Sequence, residues 1–198
     1  MGGGRGNVKI FDAVTGELKR EHERDNWIKA LEFNPDGTLL AAGGADRKVA
    51  LYHAATLELR REIDRGACIS AIAFSRDGSQ LAVGDRSFLV AVHAVSTGEL
   101  QFVLKLNDWV ISLDFSPDSL TLAVGCGDYG GRGELVLVDL AGAWPGLRKK
   151  MGRAVRAAYS PDGATLAVGS WWGTKVLQSE VLLYDTAAGK VRLMRCRS

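Results

Sequence analysis

Short apolar runs alternate with polar turns along the whole chain, and they recur with a single period. An aromatic residue, a turn of the form Ser/Asn-Pro/Arg-Asp-Gly/Ser, a leucine and a glycine follow one another four times. The aromatic residues that mark the four copies are Phe33, Phe74, Phe115 and Tyr159, at intervals of 41, 41 and 44 residues. The leucines and glycines of the motif repeat with the same intervals. A period of about 40 to 45 residues indicates a repeated unit of four short antiparallel strands that packs against its neighbours.

The first full copy shows how one unit is organised. Residues 27–33 read as a strand, and residues 34–37 (Asn-Pro-Asp-Gly) form a turn, because proline presets φ and glycine tolerates a positive φ. Residues 39–43 and 49–53 predict the second and third strands, and residues 57–63 predict the fourth. No helical period of 3.6 residues competes with this pattern anywhere in the chain.

These residues resemble the WD40 repeat family. The resemblance is carried by a strand ending in an aromatic residue, then Ser-Pro-Asp-Gly, Leu-Ala-x-Gly, and a third strand that ends in an aromatic-Asp pair such as Phe11-Asp12 or Tyr184-Asp185. It covers nearly the whole chain and implies an all-β fold, a β-propeller. No copy contains the Trp-Asp dipeptide or a preceding Gly-His, so the family's hydrogen-bond network is not carried over. His53 and His93 replace the usual Asp, and we expect them to tie turns rather than to catalyse.

The organisation along the chain predicts an open, partial propeller of about four and a half blades. Residues 1–24 are expected to be the last two strands of a truncated blade, because Gly-Gly-Arg-Gly and a strand ending in Asp occur both there and at 130–139. Four repeats follow, at 25–65, 66–106, 107–150 and 151–198. Uncovered blade faces cost burial energy and exposed strand edges invite pairing. We therefore expect a fragment of a longer propeller protein or a ring completed by another chain or by self-association; a solitary arc is the remaining alternative.

Charge and cysteine content exclude several classes of protein. The 25 Lys and Arg against 23 Asp and Glu give a net charge of +2, which argues against nucleic acid as a partner. The local basic cluster at 148–156 is interpreted as a solvated strand edge, with an acidic partner as the alternative. Three distant cysteines offer neither a disulfide framework nor a CxxC metal site. We expect no signal peptide and no membrane span, and an intracellular location in the cytoplasm or, alternatively, the nucleus.

Motifs for chemistry are weak, and we predict no catalytic, cofactor-binding or metal-binding residues. Residues 125–130 match the dinucleotide-binding string GxGxxG, but a strand is expected after them where a pyrophosphate needs a helix N-terminus. An acidic residue recurs at the same turn position of every copy, as a structural role requires. The alternative to a non-catalytic protein is an enzyme or regulatory domain on a propeller scaffold whose active residues lie in blades or domains outside this chain.

Recognition of a protein or peptide is the favoured function. Trp27, Cys68, Trp109 and Arg153 stand six residues before the four marker aromatics, at the entrance to the first strand of each copy. The resemblance implies that this entrance and the loop between the second and third strands line one face, commonly the partner-binding face. Packing between blades is the alternative role for the two tryptophans. The longer loops of the last two copies add aromatic and polar candidates. The predicted partner-binding residues are Trp27, Trp109, Asp128, Tyr129, Arg132, Trp171 and Trp172.

Overall fold

The architecture is a series of antiparallel sheets, one for each copy of the sequence motif. The computed structural model describes residues 6–128, 133–142, 144–151, 155–172, 178–186 and 190–195. A two-stranded sheet, here the half-blade, holds β1 (Gly6–Phe11) and β2 (Leu18–Arg24). Blade I holds β3 (Ile28–Phe33), β4 (Leu39–Gly44), β5 (Lys48–His53) and β6 (Leu59–Asp64), and blade II holds β7 (Ile69–Phe74), β8 (Gln80–Asp85), β9 (Leu89–Ala94) and β10 (Leu100–Lys105). Blade III holds β11 (Val110–Phe115), β12 (Thr121–Cys126), β13 (Glu134–Asp139) and β14 (Trp144–Lys150), and blade IV holds β15 (Val155–Tyr159), β16 (Thr165–Trp172), β17 (Gln178–Asp185) and β18 (Lys190–Arg195).

Within each blade the strands pair in chain order, and the first strands of neighbouring blades contact one another. Hydrogen bonds cross between these first strands: Ser70 Oγ donates to the carbonyl of Val110 at 2.6 Å, and the amide of Tyr159 donates to Asp114 Oδ2 at 2.6 Å. The predicted all-β partial propeller of about four and a half blades is therefore confirmed. The described residues contain no helix, and so none that is long and apolar enough to cross a membrane.

The strands differ in burial in the way that their sequences predict. The second strand of blade II contributes Leu81, Ala82 and Val83, all fully buried, because both of its faces are covered by neighbouring blades. Continuous runs of small apolar residues suit such a strand. The outermost strands β6 and β10 instead alternate between exposed and half-buried residues, since only one of their faces is covered. The core thus lies between blades.

The turn between the first and second strands forms as predicted. Gly37, Gly78 and Gly163 adopt φ values of 72° to 73° at its last position. The preceding aspartates accept backbone N–H groups on Oδ1, from Thr38 to Asp36 at 2.8 Å and, at 3.0 Å each, from Ser79 to Asp77, Leu120 to Asp118 and Ala164 to Asp162. These bonds hold the pKa of each carboxyl below its usual value. The recurring acidic residue therefore shapes the turn.

Blade III departs from this turn at one position, and the departure makes a stability prediction. Ser119 stands where the other blades have glycine and holds a φ of 61°. A non-glycine residue in this region costs about 1 kcal/mol. We expect Ser119→Gly to raise the free energy of unfolding by about 0.5 to 1 kcal/mol in urea titrations followed by circular dichroism. The reciprocal change Gly78→Ser should lower it by a similar amount, and no difference between the two variants would contradict the prediction.

Two local expectations need correction. The fourth strand of blade I begins at Leu59 rather than Leu57, because Leu57 turns the chain with a φ of 58° where Gly16 and Gly98 stand in the neighbouring copies. The first strand begins at Ile28, so Trp27 lies just before it. Both differences concern residues at strand ends, where the turn geometry decides the boundary.

Candidate interaction surface

The entrance residues of the first three complete blades lie on one face, as predicted. The carbonyl oxygens of Trp27, Cys68 and Trp109 accept the amides of Ala45, Arg86 and Gly127 at 2.8, 3.0 and 3.0 Å. Each donor directly follows the second strand of its blade, so each entrance residue adjoins the start of the loop between the second and third strands. We call this side the loop face. Arg153, the fourth entrance residue, lies outside the described residues.

Trp27 is the most exposed tryptophan among the described side chains. Its exposed fraction is 61%, and its amide donates to Asn26 Oδ1 at 2.9 Å, which fixes the backbone before β3. Packing between blades, the alternative role considered for this residue, is not what the structure shows. A large aromatic side chain left in solvent on a rigid strand end is typical of a binding anchor.

Trp109 occupies the same repeat position in a different environment. It is half-buried, and the Arg86 guanidinium lies 5.0 Å from the centroid of its ring. This is a cation–π arrangement between blades II and III. The buried Asp108 accepts the Trp109 amide on Oδ1 at 2.7 Å. Trp109 thus both joins two blades and presents part of its ring, together with the exposed Arg86, to the loop face.

The remaining predicted residues fall in the longer loops. Asp128 is half-buried and follows Gly127, which bonds to the backbone of Trp109, so Asp128 lies on the loop face beside that tryptophan. Tyr129 and Arg132 lie outside the described residues. The structure therefore places Trp109, Arg86 and Asp128 near one another, with Trp27 two blades away.

Trp171 and Trp172 lie on a strand and not, as expected, on a loop. The second and third strands of blade IV are eight residues long, and these tryptophans pair across the ladder with Ser179 and Gln178. The extra residues of this copy therefore lengthen a hairpin instead of forming only a connection. Their side chains lie outside the described part of the structure.

A buried arginine that the sequence reading missed joins the half-blade to blade I. Arg24 is 7% exposed, and its guanidinium donates from Nε to Asp46 Oδ2 at 2.9 Å and from Nη1 to the Tyr52 hydroxyl at 3.0 Å. The ring of His22, which we expected to be exposed, lies 4.9 Å from that of Tyr52. Arg65 stands 41 residues after Arg24 and forms an ion pair with the buried Asp85 at 3.3 Å. This shared period was the signal that could have identified the interaction.

Two carboxyl groups on the first strands bind the next blade. Glu32 and Asp114 each precede a marker aromatic, and both are half-buried. Burial raises the pKa of Glu32 to about 7 despite a hydrogen bond from the Phe74 amide, and burial also raises the pKa of Asp114. Arg76 acts in the opposite direction on both groups. Their contacts are with backbone amides of the neighbouring blade, which is a structural role.

The histidines and cysteines of the described residues also have structural surroundings. His93 contacts the Gly98 carbonyl through Nδ1 at 3.1 Å, and His53 contacts Thr56 Oγ1 at 3.4 Å, so both tie turns as predicted. Burial raises the pKa of the Cys126 thiol to about 11, which keeps it protonated and unreactive. No group of three His, Cys, Asp or Glu is placed to hold a metal ion within the described ranges.

Comparisons with known proteins agree with this geometry. The family profile described as "WD domain, G-beta repeat" matches residues 98–129. That described as "Anaphase-promoting complex subunit 4 WD40 domain" matches residues 9–75. The chain belongs to the WD40 repeat family. No curated protein matches the sequence of this WD40 chain.

Solved structures share the WD40 fold of this chain at low sequence identity. A chain of the mitotic checkpoint complex superposes with a TM-score of 0.78 at 22% identity, over 93% of this chain and 58% of that one. Hydrazine synthase of Kuenenia stuttgartiensis gives 0.76 at 22% identity, over 85% and 49%. This WD40 chain therefore spans about half the length of the solved chains it matches.

Proposed function

We propose that this WD40 chain is a non-catalytic interaction platform that binds a protein or peptide through its loop face. The observation that carries the proposal is Trp27, 61% exposed at the entrance to β3. Exposing an indole ring to water is unfavourable, and burying it in a partner's pocket recovers about 25 cal/mol for each Å² of apolar surface. Tryptophan is accordingly enriched among the residues that dominate binding energy.

The surroundings of Trp109 supply the polar part of the same surface. Arg86 is exposed and rests on the ring of Trp109, and Asp128 adjoins this pair. A cation held over an aromatic ring keeps its N–H groups in a fixed direction, so it binds a carboxylate or carbonyl of a partner with little loss of entropy. Tyr129, Arg132, Trp171 and Trp172 stay predicted members of this surface.

Replacement of Trp27 tests the proposal. We expect Trp27→Ala to weaken capture of the physiological partner at least tenfold, because a truncated anchor loses about 2 kcal/mol or more. The measurement is quantitative mass spectrometry of proteins retained by the immobilised chain, followed by titration of the specific partner. Leu100→Ala is the matched control, since Leu100 is 55% exposed on the outermost strand of blade II, away from the loop face.

The two variants separate binding from folding. Trp27 has little buried surface, so its replacement should leave the far-ultraviolet circular dichroism and the urea midpoint unchanged. Equal capture by wild type and Trp27→Ala would overturn the role of the loop face, as would an equal loss with Leu100→Ala.

We also propose that strands outside these 198 residues complete the propeller, in a longer chain or in a second one. The support is the half-blade, which has two strands where the other sheets have four among the described residues. The test is the intact mass of the endogenous protein together with its stoichiometric companions. A mass above 21.3 kDa favours a longer chain, and a mass of 21.3 kDa with one companion favours completion by a second chain. A lone 21.3 kDa protein would contradict both.

A further inference from the structure

One face of β3 is exposed although the same face of the corresponding strands is buried. Leu31 and Phe33 project from this face toward the half-blade. Their exposed fractions are both 52%, against 8% and 5% for Ile72 and Phe74 in blade II and 9% and 2% for Leu113 and Phe115 in blade III. Because the residues are apolar at every copy, the difference lies in what covers them.

Blade II shows what covers such a face. Ile72 and Phe74 belong to a cluster that includes Ala41 of β4 and Leu51 of β5, the second and third strands of the preceding blade. In the half-blade the third-strand position is taken by β1, which provides Val8 and Ile10 to a core cluster. The second-strand position next to β1 is not filled by any described residue.

The unfilled position is an apolar cavity between β1 and β3. Its volume is about 230 Å³. Phe11 on its wall is 55% exposed, whereas Tyr52, which stands 41 residues later at the same repeat position, is 2% exposed. The lining residues are Val8, Lys9, Ile10, Phe11, Leu31, Glu32, Phe33 and Leu40.

The backbone beside this cavity is also unpaired. In blades I to III the third strands β5, β9 and β13 each pair on both sides, with a second strand and with a fourth strand. Among the described residues β1 pairs with β2 alone. An apolar face next to a free strand edge is the combination that accepts an added strand, because main-chain hydrogen bonds supply affinity and the face supplies specificity.

We propose that β1 and the Leu31–Phe33 face of β3, here the acceptor face, bind a two-stranded antiparallel β-hairpin. The outer strand of the hairpin pairs with β1, and its inner strand lies along the channel beside β3. This inference rests on the proposed completion of the propeller, and it names the element and the residues that accept it.

The pairing inside blade I specifies the chemistry of the hairpin. There Leu40, Ala41 and Gly43 of the second strand stand opposite Tyr52, Leu51 and Val49. Moved back by 41 residues, the same register places a leucine opposite Phe11, a small residue opposite Ile10 and a glycine opposite Val8. The occupant is therefore a hairpin whose outer strand reads Leu-Ala-x-Gly.

A hairpin taken from this chain provides the probe. The synthetic peptide has the sequence of residues 67–86, which contains β7, its turn and β8, with Cys68 replaced by serine. We expect saturable one-to-one binding to the full chain in isothermal titration, with slower amide hydrogen exchange in Gly6–Phe11. The Leu31→Asp/Phe33→Asp variant should bind at least tenfold more weakly, because charged groups would be buried under the peptide.

Two matched controls define the specificity. Leu100→Asp changes an equally exposed leucine far from the acceptor face and should bind the peptide as wild type does. A peptide carrying Gly84→Val should bind at least tenfold more weakly, because in blade II a Cβ at Gly84 already collides with the side chain of Val110 on the next first strand. At the acceptor face Ile28 holds the position of Val110.

Several outcomes overturn the proposal. These are no binding of the peptide to wild type, equal binding by Leu31→Asp/Phe33→Asp, or equal binding of the Gly84→Val peptide. A dimer in light scattering that the aspartate variant dissociates, and with which the peptide does not compete, would make a second copy the occupant. If the aspartate variant fails to fold, protection of Gly6–Phe11 in the wild-type chain decides. Trp27→Ala tests the loop face separately, so either proposal can fail without the other.

Discussion

Replacing Arg24 with methionine should lower the free energy of unfolding by about 3 to 5 kcal/mol. Arg24 is 7% exposed and donates hydrogen bonds to Asp46 and to the Tyr52 hydroxyl, at 2.9 Å and 3.0 Å respectively. Methionine fills a similar volume but leaves a largely buried carboxylate and a phenol without their partner. Breaking a buried pair from one side has a cost of this size because the remaining charge is uncompensated. Urea titration followed by circular dichroism measures the change.

Two further variants test the cause of that loss. Lys48→Met removes an ion pair to Glu62 in which both side chains are about 40% exposed, and we expect a change below about 1 kcal/mol. The double variant Arg24→Met/Asp46→Leu removes both charges and should recover most of the stability lost by the single change. A loss below 1 kcal/mol for Arg24→Met, or a double variant as unstable as the single one, would show that the buried charge is not the cause.

Arg24 also shows where sequence reasoning ends. The fold could be predicted because each blade repeats one motif, and the period of 41 or 44 residues fixes the order of strands without any knowledge of tertiary contacts. The ion pair joins residues 22 positions apart in different sheets, and no local pattern specifies such a pair. Only the matching interval between Arg24 and Arg65 indicates it.

The candidate site was predictable in position but not in environment. Trp27 and Trp109 stand at one repeat position, and both adjoin the loop between the second and third strands, as the period requires. Their exposure differs because it depends on the preceding blade, which places Arg86 over Trp109. Trp171 was wrongly predicted to lie on a loop, because extra residues in a hairpin either lengthen the loop or extend the ladder, and residue counting does not distinguish the two outcomes.

The marker glycines give the second large effect, since they allow the next blade to approach. A Cβ on Gly125 would collide with the backbone carbonyl of Val155, at the start of the first strand of blade IV. A carbonyl in a paired strand has no alternative rotamer, so the blades themselves must separate. We expect Gly125→Ala to lower the free energy of unfolding by about 3 kcal/mol, at the upper end of the usual cost of overpacking. The measurement is again urea titration.

Gly169 is the matched control, because it is the same marker glycine in blade IV and a Cβ there meets nothing within 4 Å among the described residues. Alanine is less flexible than glycine in the unfolded chain, so Gly169→Ala should leave stability unchanged or raise it by about 0.5 kcal/mol. If a further blade packs on blade IV in the endogenous protein, the same change should destabilise that longer form as Gly125→Ala does. Equal losses for both variants in the 198-residue chain would show that the glycines are needed within their own strands, whereas a loss confined to Gly125 assigns them to the contact between blades.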